Sequence, residues 1–343
     1  YCLFRHEQRP DAPMSDSINP EVSIEQRPDP ARLAFDLNRV LASMVAVRSH
    51  IPEEALTASV LGTERAGHGV VIDDTGLVVT IGYLVMEAEF VWLTTASGHT
   101  LQAHVLAYDS ESGLGLVQAL GVMGQPAMTC GSTARLNLGA SMLVTAYGGH
   151  AHALCTQVTG KHEFAGYWEY LLDEAIFTAP AHPSWGGAAL IGEDGLLYGI
   201  GSLLVQETSG ADDEGEQQSR DCNMFVPIDL LSNNLDDLKL YGRPNRSPRP
   251  WLGMFAYDVG DSLVVAGVYK DGPADRADLR PGDVVLDVDG RPVAGLADFF
   301  RSIWAVGEAG VPVPLTVVRD AQKFDVTVQS VDRTALGQPA NLH

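Results

Sequence analysis

At 343 residues and 45% hydrophobic content, the chain is long enough to build two packed domains. Asp and Glu number 44 against 22 Lys and Arg, and the resulting formal charge of −22 disfavours contact with nucleic acid or an anionic membrane surface. No apolar run approaches the ~20 residues of a membrane-spanning helix, and the opening YCLFRHEQRPDAP lacks a signal-peptide layout, which leaves localisation unknown with the cytoplasm favoured.

Residues 1–29, polar and Pro-bearing (SINPEVSIEQRPDP), are expected to form a disordered tail. Asp29-Pro30 then opens ARLAFDLNRVLASMVAV, where Leu33, Phe35, Leu37, Val40 and Leu41 recur at helical spacing. From Gly67 to Leu231 the pattern changes to short β-type runs such as HGVVID, GLVVTIGYLV, FVWLTTA and NMFVPIDLL. These are separated by Gly, Asp and Asn, the pattern of a barrel or sandwich. Within that region VQETSGADDEGEQQSRD (205–221) is acidic and is expected to be a mobile, solvated loop. YGRPNRSPRP (241–250) reads as a linker between a first domain over 30–240 and a second over 251–335, with a short tail at 336–343. Cys2, Cys130, Cys155 and Cys222 are widely spaced and form no CxxC, so free, mostly buried thiols are expected and no cofactor is.

The second domain carries the most specific phrases. WLGMFAYDV is followed by LVVAGVYKDGPADRADLRPGDVVLDVDGRPVAGLADFFRSIW, in which Gly272-Pro273-Ala274 starts a short helix and Asp289-Gly290 supplies a tight hairpin turn. This order of phrases resembles the PDZ domain of the HtrA/DegP family. The resemblance implies that Trp251, Leu252, Gly253 and Met254 form a carboxylate-binding loop, and that the next strand accepts a peptide by β-addition.

Upstream, AGHGVVIDDTGLVVTIGYLV, AYDSESGLGLVQA and NMFVPIDLL resemble successive phrases of the same family's protease domain. The implied fold is mainly β: a chymotrypsin/trypsin-like double β-barrel followed by an α/β PDZ domain. On that alignment the catalytic histidine falls on Tyr83, the aspartate on Gly113 and the serine on Trp185. The glycine that donates to the oxyanion hole becomes Pro183, which has no N–H. Removing nucleophile and base together costs roughly a millionfold in rate, so the chain is expected not to be an enzyme. The expectation is a pseudoprotease, a scaffold or adaptor that captures C-terminal or extended segments of partner proteins, alone, as a homo-oligomer or within a larger complex. No partner role for nucleic acid and no membrane insertion is expected; by family analogy the periplasm is an alternative compartment.

Two other readings stay open. One is an active serine endopeptidase with a displaced triad, for which Ser184, Asp109, His150, His152 and His182 are the neighbouring candidates. The other is a histidine-based metal module, in which the H-x-H pair His150 and His152 would share one side of a strand near His182 and His68.

Overall fold

The computed structural model describes residues 20–211 and 217–335. These residues form two compact units, one comprising residues up to 53, 60–162 and 174–244, the other 54–59, 163–173 and the chain from 245 on.

In the first unit, runs of aliphatic and β-branched residues form twelve strands in two closed barrels. Strands β1 (Met44–His50), β2 (Glu64–Val71), β3 (Leu77–Ile81), β4 (Phe90–Thr94), β5 (Thr100–Tyr108) and β6 (Leu114–Ala119) close in the order β1-β2-β3-β6-β5-β4. Strands β7 (Ser141–Thr145), β8 (Ala153–Gly166), β9 (Tyr170–Ala179), β10 (Ala189–Ile191), β11 (Leu197–Ala211) and β12 (Gln217–Pro227) close in the order β10-β11-β12-β9-β8-β7. Closure leaves no unpaired edge and turns one face of every strand inward. The second barrel packs Val144, Leu154, Ile176, Leu190 and Phe225 into one core.

Three sequence expectations are corrected here. The helical stretch shrinks to Leu37–Ala42, started by Asp36, whose carboxylate accepts from the N–H groups of Asn38 and Arg39 at 2.9 and 3.3 Å. Met44-Val-Ala-Val leaves the helix for β1 because pairing with β2, Val45 opposite Gly69, buries these side chains in the barrel. Residues 20–29 of the expected tail are packed: Val22 lies in the second barrel's core, and its N–H donates to Ala151 O at 2.8 Å. The rest of that tail, like 336–343, lies outside the described residues. The acidic stretch 205–221 continues strands β11 and β12, with Val205 opposite Cys222 and Glu207 paired to Arg220 at 2.8 Å; residues 212–216 are outside the description. Among the described cysteines all are free, Cys222 buried and Cys155 exposed.

The second unit is built on a sheet of β14 (Met254–Val259), β15 (Ser262–Val268), β16 (Val284–Val288), β18 (Pro312–Arg319) and β19 (Gln322–Gln329), in that order. A short β17 (Arg291–Pro292) pairs with β16, and β13 (Pro250–Trp251) pairs with β20 (Val331–Asp332). Asp289 and Gly290, at φ 51° and 72°, make the tight turn into β17. The helix Leu296–Val306 lays Phe299, Phe300 and Ile303 on Val285, Leu315, Val317 and Val328. No helix among the described residues is long and apolar enough to cross a membrane.

This packing predicts that Phe225→Ala, at a fully buried position, lowers the stability of the barrel by roughly 3–5 kcal/mol. Phe90→Ala, where the side chain is 42% exposed, should cost less than about 1 kcal/mol. Denaturant titration of the two variants checks the contrast.

Candidate functional site

Strand ends carry the three triad positions of the resemblance to one place. Tyr83 sits in a tight turn, Gly82–Leu84, directly after β3; Gly113 ends the β5–β6 connection; Trp185 lies just before β10. The Gly82 N–H donates to Gly113 O at 2.7 Å, which sets the first two side by side. The Tyr83 hydroxyl donates to Ser202 O on β11 at 3.0 Å. Gly186 lies so close to Tyr83 that a Cβ there would meet the phenolic oxygen at 2.9 Å. At Gly187, φ 79°, a Cβ would fall 1.8 Å from His68 O, so these two glycines are required by close approach of the backbone.

The chemistry of these positions follows from their surroundings. Burial pushes the Tyr83 phenol well above its ordinary range, partly offset by the neighbouring Trp185 side chain, so it stays protonated and acts as a donor, not a base. Gly113, at φ 75°, offers no side chain. Asp109, the carboxylate four residues earlier, is buried and committed to its own turn: it accepts from Ser112 Oγ at 2.6 Å and the Glu111 N–H at 3.1 Å. Pro183 has no N–H, and the next amide, that of Ser184, donates to His182 Nδ1 at 3.0 Å. Ser184 Oγ is buried and makes no hydrogen bond.

The histidines are held by the backbone. Because His182 Nδ1 accepts an N–H, its proton sits on Nε2 and points to His152 O at 3.1 Å. Its main chain is clamped by Asn223, whose Oδ1 accepts from the His182 N–H at 2.6 Å and whose Nδ2 donates to His182 O at 3.2 Å. His68 Nδ1 accepts from the Tyr147 N–H at 3.2 Å, and His150 Nε2 meets Pro28 O at 2.8 Å. His150 and His152 lie in a 3-10 turn, Gly149–His152, not on a strand, which corrects the expected same-side H-x-H geometry. Among the described residues no three His, Cys, Asp or Glu side chains are grouped to hold a metal ion.

In the second unit the N–H groups of Leu252, Gly253 and Met254 converge, Gly253 at φ 72° turning the chain so that they do. They converge on the carboxylate of Glu169, at 3.0, 2.7 and 3.0 Å. Burial raises the Glu169 carboxyl above its usual range, opposed by these three donors and the Arg333 guanidinium. Ser202, Asn223 and Glu169 carry no motif; each meets its partner only through long-range folding.

Two predictions follow from this geometry. Tyr83→Phe removes the donor to Ser202 O and should cost about 1–3 kcal/mol in a denaturant titration. Burial, reinforced by neighbouring histidines, lowers His68 to about 3; burial likewise lowers His182 to about 4. Both rings are therefore neutral when folded and titrate near 6.5 when unfolded. Their contribution to stability is complete above pH 6.5 and is lost as pH falls from there towards 4 and then 3. Acidification to about pH 4.5 should cost on the order of 2 kcal/mol per ring, seen by calorimetry, with a shallower profile in His182→Gln.

Comparison with known proteins bears on both units. Residues 67–200 match the family model of the trypsin-like peptidase domain, and residues 250–329 match that of the PDZ domain. Probable periplasmic serine endoproteases, DegP-like, of Pseudomonas fluorescens and Pseudomonas putida are 24% and 25% identical over 77% of this chain and 55% and 56% of their own lengths. The chain thus spans about half the length of these curated relatives. A variant of the HtrA-type protease AlgW with tripeptide superposes with a TM-score of 0.51 at 21% identity, over 86% of this chain and 96% of that one; this likeness concerns the fold. A second such structure, with decapeptide, gives 0.50 at 18% identity over 92% and 98%. The expectation that the chain is not an enzyme is overturned by the two curated relatives, which are named probable serine endoproteases and point to a protease. With a match to a trypsin-like peptidase domain followed by a match to a PDZ domain, the chain is similar to DegP-like proteins in both parts.

Proposed function

We propose that this chain works as an HtrA-like scaffold or adaptor that binds C-terminal or extended segments of partner proteins. The observation that carries the reading is the loop Trp251–Met254, where three successive N–H groups gather on one carboxylate, the chemistry that recognises the end of a polypeptide chain. Strand β14 follows directly and offers its backbone for β-addition of the segment upstream of that end. Support also comes from the structural neighbours described with tripeptide and decapeptide. The periplasm is the proposed compartment, from the names of the relatives.

A place among proteases is compatible with this role. The frame is a protease's, and any hydrolysis it supports has to run through residues other than Tyr83, Gly113 and Trp185. Nucleophilic attack needs an ionisable hydroxyl or thiol and a base beside it, and a phenol serving as donor, an absent side chain and an indole provide neither. A displaced set is the second reading, favoured by one observation: Ser184 Oγ is buried without a partner, next to a His182 ring fixed in a single tautomer.

A fluorophosphonate probe separates the two. The purified chain is treated beside an active HtrA protease, adducts are read by intact mass, and casein cleavage is followed in parallel. The scaffold reading expects no stoichiometric adduct. An adduct mapped to Ser184, accompanied by casein cleavage, would replace it with the displaced-triad reading.

A further inference from the structure

We infer that the peptide groove of the PDZ domain is occupied by the chain itself: the turn Tyr167-Trp168-Glu169 is an internal ligand, and an incoming C-terminal carboxylate has to displace Glu169. The inference rests on the reading of residues 251–254 as a carboxylate-binding loop.

Two kinds of contact place the turn in the groove. The carboxylate of Glu169 takes all three converging N–H groups, Oε2 from Leu252 and Oε1 from Gly253 and Met254. Two residues upstream, Tyr167 O accepts from the N–H of Ala256, itself two residues beyond Met254, at 3.1 Å. A bound peptide would be held in the same way, its terminal carboxylate in the loop and its preceding backbone on β14. The difference is chemical: here the carboxylate belongs to a side chain, so the main chain has to continue. Glu169 adopts φ 58°, and the chain turns back from it into β9.

Side-chain packing fixes the same placement independently. The Tyr167 ring lies 5.9 Å from that of Phe255 on β14, and Trp168 stacks on Tyr170 at 5.6 Å and 12°. Gly166 admits the indole, since a Cβ there would meet it at 2.7 Å. Leu171, next in the chain, is buried in the core that contains Leu252, Met254, Phe299 and Ile303. Arg333 donates to Trp168 O at 3.3 Å. At the base of the hairpin, Arg301 on the helix Leu296–Val306 pairs with Glu163 at 2.5 Å and Asp173 at 2.6 Å, one residue from each strand. Those two pairs are solvent-exposed and contribute little energy, but they link both stems of the turn to the helix Leu296–Val306.

Occupancy by a tethered ligand lowers the apparent affinity for any free one by the fraction of time the groove is open. The external partner has a free terminal carboxylate, and the contact of Tyr167 with Phe255 favours an aromatic residue shortly before the end.

The test uses the full chain, its Glu169→Gln and Glu169→Ala variants, and a labelled peptide ending in Tyr-Trp-Phe with a free carboxylate, beside its C-terminal amide. Thermal melting confirms that each variant is folded, and hydrogen exchange follows the amides of Leu252, Gly253 and Met254. The inference expects exchange at these amides to rise about tenfold or more in the variants and the carboxylate peptide to bind them about tenfold or more tightly than the parent, with the amide bound by none. Unchanged exchange in folded variants would overturn it. Equal binding of the carboxylate peptide by parent and variants would also overturn it while leaving the loop a carboxylate site. Binding by none, despite released amides, would instead overturn the reading of the loop, and the inference with it.

Discussion

The hydrogen bond from the Tyr83 hydroxyl to Ser202 O ties the turn after β3, in the first barrel, to β11, in the second. In the proposed reading Tyr83 and Trp185 stand at the positions of a trypsin-like enzyme's base and nucleophile. Around them the frame of such an enzyme is intact: two closed six-stranded barrels, a glycine pair pressed against its neighbours, and the close contact from Gly82 to Gly113. A buried hydroxyl must donate to something, and Ser202 O is what the fold supplies.

The same rule of obligatory pairing governs the second unit. A carboxylate-binding loop is a set of N–H groups with no partner of their own, and burying such groups unpaired costs free energy. Glu169 satisfies them from within the chain. The cost is the burial of a carboxylate, seen in the upward displacement of its pKa, and the three donors with Arg333 offset part of it. A loop paired in this way is satisfied without a ligand.

What the sequence made legible was local. Asp289-Gly290 announced its turn because both positions adopt positive φ, and the short strand runs between turn residues announced barrels because alternation there is dense. The positions of Tyr83, Gly113 and Trp185 came from phrases that surround them, and the fold brings them together. Illegible were features set by distance. Met44-Val-Ala-Val continued a helical spacing, yet pairing with β2 outweighs it. The polar stretch after Val205 reads as a loop, but cross-strand partners such as Arg220 opposite Glu207 extend the hairpin. The role of Glu169 depends on a contact made across 84 residues, for which a single sequence carries no local signal.

The claim that a protease frame persists around replaced chemistry is tested most directly by restoring the chemistry. A chain carrying Tyr83→His, Gly113→Asp, Pro183→Gly and Trp185→Ser would be treated with a fluorophosphonate, and the rate and position of labelling measured against the parent. The account predicts labelling at position 185, at least about a hundredfold faster than any labelling of the parent. A folded variant that stays unlabelled at position 185, or a parent that labels as fast elsewhere, would contradict it.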